Sequence, residues 1–281
     1  MNSMRKISFV LAVAWLYPAS QSCAQLRAPN EMGVSMGHWH TIVRDVDATK
    51  KFWTILGGTA MKIDGDDVMK FPGVFIFMTP GTPSAGSRGS VVDHIGFGVL
   101  DPEKSIAQWE AAGVKVGKVN KSPLNGNTVG NVYSPDDIEI EVTQENGKDP
   151  YPMLPSNISI ESNHMHIYVP VAIRKEMRDW YTAMFGAVPG ELGANLTGNL
   201  PGVYFIRWTA HAEPSAPTKG RALDHIGFEV KKLEAFCKKL EAKGVKFDEP
   251  YSKKRHKSFA SAELTDPWRV SIELTEGLNR F

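Results

Sequence analysis

One strand-like stretch occurs twice, as Asp93-His94-Ile95-Gly96-Phe97-Gly98-Val99 and as Asp224-His225-Ile226-Gly227-Phe228-Glu229-Val230. A chain that repeats such a stretch has to build it into two equivalent places. With the period of two that a strand imposes, Ile, Phe and Val point to one side, and His, Gly and the residue after Phe point to the other. The branched and aromatic side suits packing beneath a helix. The other side offers an imidazole and then glycine, which leaves open space beside it. A lone histidine near a strand start is most often a hydrogen-bonded structural residue, so the repeat matters only if the surrounding chain completes a site.

The surrounding order repeats as well. Residues 37–43 (GHWHTIV) alternate as a strand, Asp47 is predicted to cap a helix running to Leu56, and Gly57-Gly58 end it. An apolar strand from Val74 to Thr79 follows, then the Pro/Gly/Ser connector 80–90, the first DHIGF strand, a helix from Pro102 to Ala112 and a closing strand from Ile138 to Thr143. Residues 144–162, rich in Pro, Asn and Ser, read as a linker. Beyond them come a strand from Asn163 to Val169, a helix from Arg174 to Phe185, a strand from Val203 to Thr209, the connector 210–221, the second DHIGF strand, a helix from Leu233 to Lys243 and a closing strand from Ser271 to Thr275. His38 and His164 are 126 residues apart, His94 and His225 are 131, and Glu141 and Glu273 are 132. The expectation is an α+β chain of βαβββ modules in two domains, 37–144 and 163–276, joined by a linker over 145–162.

The 281 residues, with 42% hydrophobic and 22% charged, suffice for two domains with real cores. The N-terminus places Arg5 and Lys6 before the apolar run Ile7 to Leu16 and a small-residue end at Ser22-Cys23-Ala24, the pattern of a signal peptide over 1–24. Export to the periplasm or the exterior is therefore expected, with cleavage after Ala24. The remaining chain would carry a net charge of −1, which gives no basic field for nucleic acid or an anionic membrane. No other apolar run approaches the roughly 18 residues of a bilayer span. Cys237 is the only cysteine beyond the leader, so no intramolecular disulfide can form, and its helical pattern reads as burial.

Each half offers a histidine pair on its first strand (His38 and His40; His164 and His166), a histidine on the DHIGF strand (His94; His225) and a carboxylate on its closing strand (Glu141; Glu273). Alternation sets Glu139 and Glu141 opposite Ile138, Ile140 and Val142, and sets Glu273 opposite Ile272 and Leu274. Two imidazoles and one carboxylate hold a divalent metal on one side and leave positions open for substrate, water or oxygen. The reading is a three-ligand metal site in each half. Residues two apart on a strand share a face, so either member of each His-x-His pair can reach the metal, and spacing does not choose between them.

These residues resemble the vicinal oxygen chelate superfamily, which includes glyoxalase I, extradiol dioxygenases, fosfomycin-resistance transferases and metal-free bleomycin-binding proteins. The carrying motifs are His38 with Val43, Asp45 and Phe52-Trp53; Asp93-His94-Ile95-Gly96-Phe97; Ser134-Pro135-Asp136 leading to Ile140-Glu141-Val142; and, in the second half, His164 with Val169 and Trp180-Tyr181, Asp224-His225-Ile226-Gly227-Phe228, and Asp266-Pro267 leading to Ile272-Glu273-Leu274. The resemblance covers about residues 37–276 and implies four βαβββ modules paired into two cupped mixed β-sheets. It implies metal ligands His38, His94 and Glu141 in one half and His164, His225 and Glu273 in the other, with His40 and His166 as catalytic neighbours. Fe2+ or Mn2+ is favoured, with Zn2+ or Ni2+ as further candidates. The implied partner is a small molecule, aromatic or dicarbonyl, and relatives of this kind also form homodimers.

Departures from the family pattern narrow the chemistry. Glyoxalase I places a further Glu on the last strand of its odd-numbered modules, whereas the corresponding stretches here, VFIFM and VYFIRW, carry none. The remaining set of two His and one Glu resembles the extradiol dioxygenases and the fosfomycin-modifying transferases. His256, 17 residues before Glu273, matches the position of their acid–base histidine, although the basic run 253–257 around it reads first as an exposed loop. Arg207 on the second of those strands is read either as a surface residue or as a contact for an anionic substrate. The turn glycine usual before the closing strand is replaced by Asp137 and Arg269. The leading expectation is a metal-dependent dioxygenase. The alternatives are a lyase or isomerase of the glyoxalase type, and a protein that sequesters a small molecule without catalysis.

Overall fold

A computed structural model describes residues 26–123, 125–147, 153–212 and 214–281. The expected signal peptide lies outside them. The first module comprises β1 (Val34–Val43), α1 (Val46–Ile55), β2 (Thr59–Ile63), β3 (Asp66–Phe71) and β4 (Val74–Pro80). The second comprises β5 (Val92–Val99), α2 (Pro102–Ala111), β6 (Lys115–Val116), β7 (Asn120–Lys121), β8 (Thr128–Tyr133) and β9 (Glu139–Gln144). The third comprises β10 (Glu161–Val169), α3 (Arg174–Phe185), β11 (Val188–Leu192), β12 (Asn195–Leu200) and β13 (Val203–Ala210). The fourth comprises β14 (Leu223–Val230), α4 (Leu233–Ala242), β15 (Phe247–Ser252), β16 (Ala260–Thr265) and β17 (Ser271–Glu276).

These modules form two open mixed sheets, as expected of an α+β chain of this kind. One runs β15-β16-β17-β14-β1-β4-β3-β2 and the other β11-β12-β13-β10-β5-β9-β8-β6. The pairing corrects the expected division into two halves. Antiparallel β1 and β14 join the first module to the fourth, and antiparallel β5 and β10 join the second to the third. β1 and β10 share the His-x-His pattern and β5 and β14 share DHIGF, so strand sequence leaves the choice of partner open. The two Pro/Gly connectors run alongside one another, with Ser90 bridged to Ala216, Ser84 N–H donating to Gly220 O at 2.8 Å and Ala222 N–H donating to Ala85 O at 2.9 Å.

Alternation then sorts the faces. Trp39, Phe97, Trp208 and Phe228 belong to one buried cluster that includes residues of both sheets. Helices α1 and α3 contribute the aromatic rings that bridge it. Trp53 of α1 lies 5.8 Å from Phe71 in the first sheet and 6.0 Å from Phe97 in the second. Phe185 of α3 lies 5.0 Å from Phe228, and Tyr181 lies 5.6 Å from Trp208. Burying four aromatic side chains of this size between the sheets removes apolar surface worth roughly 2–3 kcal/mol each. The core is thus continuous, and the histidine faces of both sheets are left on its outer sides.

Local chemistry explains the helix ends. Asp45, rather than Asp47, is the N-cap of α1, its Oδ1 accepting from Ala48 N–H at 2.9 Å, and Asp101 caps α2 in the same way at 3.0 Å. Asp47 sits one position too far along, inside the first turn. The turns lacking the usual glycine keep its conformation, with Asp137 at φ 59° and Arg269 at φ 75°. Each carries a left-handed strain of about 1–2 kcal/mol. Cys237 is buried on α4, and burial pushes its thiol up to about 12, which leaves it inert at neutral pH. No helix among the described residues is long and apolar enough to cross a membrane.

Candidate metal centres

The exchange of modules regroups the predicted ligands. His38 does not meet His94 and Glu141; it meets His225 and Glu273 across β1, β14 and β17. His94 and Glu141 meet His164 across β5, β9 and β10. His40 and His166 accompany their His-x-His partners. One atom from each of His38, His40, His225 and Glu273 lies within 4.8 Å of the others, and the same holds for His94, Glu141, His164 and His166. By residue type and spacing alone, either group is a candidate for a metal ion. The residue types expected from the sequence are therefore all present, but drawn from the first and fourth modules in one cluster and from the second and third in the other.

In both clusters the glycine of DHIGF has a steric duty. Gly227 pairs with His38 and Gly96 with His164, and a Cβ at either glycine would penetrate the facing ring, at 2.1 Å from His38 Cε1 and 1.9 Å from His164 Cε1. The space beside each glycine belongs to an imidazole. The aspartate of the motif orients the next residue: Asp224 Oδ2 lies 2.7 Å from His225 Nδ1, and Asp93 Oδ1 lies 3.0 Å from His94 Nδ1. A carboxylate on Nδ1 leaves Nε2 as the free face of the ring, the arrangement that metal-ligating histidines use.

The first cluster, on the sheet containing β1, has its ligand atoms converging without pairing. His38 Nε2 lies 3.0 Å from Glu273 Oε2, and His225 Nε2 lies 3.6 Å from the same oxygen. His256 Nε2 lies 3.5 Å from Glu273 Oε1, so this residue is part of the cluster and not an exposed loop residue. None of these three buried nitrogens has a hydrogen bond among the described residues. Buried polar atoms are rarely left so, and several converging on one carboxylate are a donor set that fits a metal cation. His40 is committed elsewhere, with Nε2 2.8 Å from Thr79 Oγ1 and its ring stacked on His225 at 4.2 Å.

Charge follows the geometry. Burial opposes the ionised form of Glu273, but His225, His256 and His38 around it hold its carboxyl well below the usual range. Burial also works against protonation of His225, yet Asp224 and Glu273 prevail and raise it to about 9. For His38 and His40 burial dominates, and both are lowered. His38 and Glu273 are buried while His40, His225 and His256 are partly exposed, so the cluster opens on their side. Aromatic rings wall it: Phe77 lies 5.1 Å from the His38 ring, and Phe259 stacks on His256 at 4.0 Å. Phe75 and Phe77 pair with His38 and His40 on the adjacent β4 and join a small buried apolar group with Leu26, Phe259 and Leu278.

The second cluster is saturated instead. Arg207, neither at the surface nor facing an open site, is buried, with Nη2 3.0 Å from Glu141 Oε1 and 2.8 Å from His164 Nε2. His94 Nε2 lies 3.0 Å from His166 Nδ1 and 3.3 Å from Glu141 Oε2, while His164 Nδ1 lies 2.8 Å from Asn163 Oδ1. His166 Nε2 bonds Thr209 Oγ1. Burial alone would raise Glu141, but Arg207, His164 and His94 hold it well below the usual range. A surface cleft of about 420 Å³ lies elsewhere, beside α1 and the end of α2, with no histidine or glutamate in its wall.

Sequence reasoning did not assign Asp93, Asp224, Asn163, Thr79, Phe77 or Phe259 to the sites. The aspartates were visible as part of DHIGF. The rest depend on cross-strand register, which no local pattern reveals.

Comparison with known proteins agrees with this architecture. Residues 163–274 match the family model described as Glyoxalase/Bleomycin resistance protein/Dioxygenase superfamily. Among solved structures, glyoxalase I from Zea mays is similar at 13% identity and TM-score 0.65, over 88% of this chain and 94% of that one. A Bacillus subtilis protein described as "putative dioxygenase" is similar at 12% identity and TM-score 0.66, over 90% of this chain and 86% of the other. Identities this low speak for the fold alone. No curated protein matches the sequence.

Proposed function

We propose, starting from the match of residues 163–274 to the Glyoxalase/Bleomycin resistance protein/Dioxygenase superfamily model, that this chain is a metal-dependent oxygenase of that superfamily acting on a small aromatic substrate with neighbouring oxygens. The observation that carries this reading is the convergence of His38 Nε2 and His225 Nε2 on the Glu273 carboxylate with no hydrogen bond to satisfy them. Two histidines and one carboxylate on one side of an open site are the donor set of non-haem Fe(II) oxygenases. His38, His225 and Glu273 would hold the ion. Bound there, a divalent metal supplies Lewis acidity toward adjacent substrate oxygens and open positions for oxygen.

The chain's own groups supply the rest. Asp224 holds the His225 ring with Nε2 directed inward. His256 Nε2, beside Glu273 and without another partner among the described residues, is placed to take and return the proton of a substrate hydroxyl. Phe77 and Phe259 offer flat apolar walls to an aromatic ring. Phe77 stands on the strand where glyoxalase I carries its additional glutamate, and that strand, Val74–Pro80, supplies no carboxylate here. Export to the periplasm or exterior, with loss of residues 1–24, remains part of the proposal, as does a homodimer.

The test is oxygen uptake and ring-cleavage absorbance with a panel of catechols, using protein loaded with Fe2+ or Mn2+. Turnover that Glu273→Gln abolishes is expected. Bound metal with catechols held but unchanged would favour sequestration, and failure to bind any metal would remove the metalloenzyme reading.

A further inference from the structure

The geometry points to one metal ion per chain: we infer that the Arg207 guanidinium stands in for the cation in the second cluster and closes it to metal. This inference rests on the first cluster being the metal site. The two clusters are related position by position. β4 runs parallel to β1 with Phe77 beside His40, and β13 runs parallel to β10 with Arg207 beside His166. Phe77 and Arg207 are therefore equivalents, one apolar and one permanently charged.

That difference decides what the surrounding donors are free to do. Arg207 Nη2 donates to Glu141 Oε1 at 3.0 Å and to His164 Nε2 at 2.8 Å. The oxygen and the lone pair a metal would use are thereby occupied. Because Nη2 donates, His164 Nε2 is an acceptor, and its proton sits on Nδ1 facing Asn163 Oδ1 at 2.8 Å. His94 Nε2 is likewise engaged by His166 Nδ1 at 3.0 Å. In the first cluster the equivalent nitrogens of His38 and His225 have no hydrogen bond among the described residues. A dication entering the second cluster would have to displace a buried guanidinium, break these bonds and then sit beside the charge it displaced. The residues have metal-ligand types at metal-ligand spacing, but they do not fit a metal.

Elemental analysis of the chain, purified without chelator and then reconstituted with Fe2+, Mn2+ or Zn2+, tests this without reference to activity. One equivalent is expected, lost in His225→Ala and kept in His94→Ala. Arg207→Met, and Arg207→Gln as a second neutral replacement, should take up a second equivalent, while Arg207→Lys stays at one. Retention of the first equivalent reports that a variant is folded. Two equivalents in the unaltered chain, or folded neutral variants that stay at one, would each overturn the inference while leaving the proposed function standing; a single equivalent lost with His94→Ala would overturn both, because the ion would then sit in the second cluster. No equivalent at all would overturn both.

Discussion

Gly227 faces His38 across β1 and β14 so closely that the glycine's missing side chain is the room in which the imidazole lies, a Cβ there falling 2.1 Å from Cε1. The contact is backbone against a buried ring, so neither side can yield cheaply. Gly227→Ala is expected to tilt His38 away from Glu273 and to cost about 1–3 kcal/mol of stability. Metal titration should show at least about tenfold weaker binding for the variant. Unchanged affinity would mean that His38 is not a ligand.

Asp224 fixes the ring of His225 through Nδ1 at 2.7 Å. Asp224→Asn keeps the size but removes the charge that favours Nε2 as the donor face. Metal affinity should fall by roughly 10–100-fold, whereas the matching Asp93→Asn change should leave metal content untouched, since Arg207 already fills that cluster.

Glu145 carries a pH signature separate from either cluster. Burial raises its carboxyl from the ordinary 4.5 to about 7, with Asn163 partly opposing and Glu161 adding to the rise. The folded state thus prefers the protonated form. Its contribution to stability is fully present below the unfolded value near 4.5 and is lost as pH rises through about 7. Glu145→Gln keeps a neutral side chain at all pH values. The variant should melt higher than the unaltered chain at pH 8, by up to about 3 kcal/mol in stability, with the gap closing by pH 4.5. A gap independent of pH would show that the carboxyl does not titrate in this window.

Tyr181 of α3 donates its hydroxyl to Asp266 Oδ2 at 3.0 Å, both groups being buried. The bond ties the third module's helix to the fourth module's closing turn, across the exchange of modules. Tyr181→Phe leaves the aspartate short of a donor and should cost about 1–3 kcal/mol, read as a lowered melting midpoint with metal content unchanged. A loss confined to metal binding would contradict this purely structural role.

The amino-acid sequence by itself determined the units of this protein. Period-two alternation in DHIGF and in the closing strands separates Ile226, Phe228 and Ile272 from His225 and Glu273, and the core and the histidine faces fall on those sides. The ligand types, the capped helices and the number of modules were legible for the same reason, since each depends on neighbours within a few residues. Which copy pairs with which was not legible. β1 and β10 carry the same His-x-His pattern, and β5 and β14 the same DHIGF, so local pattern is equal for either pairing; in the fold adopted, the connectors around Ser90 and Ala216 run side by side. Only the tertiary structure therefore moved His38 from His94 to His225, brought His256 out of a basic loop to Glu273, and turned Arg207 inward onto Glu141. Those contacts span 187, 17 and 66 residues of chain, and tertiary packing rather than any local pattern sets them.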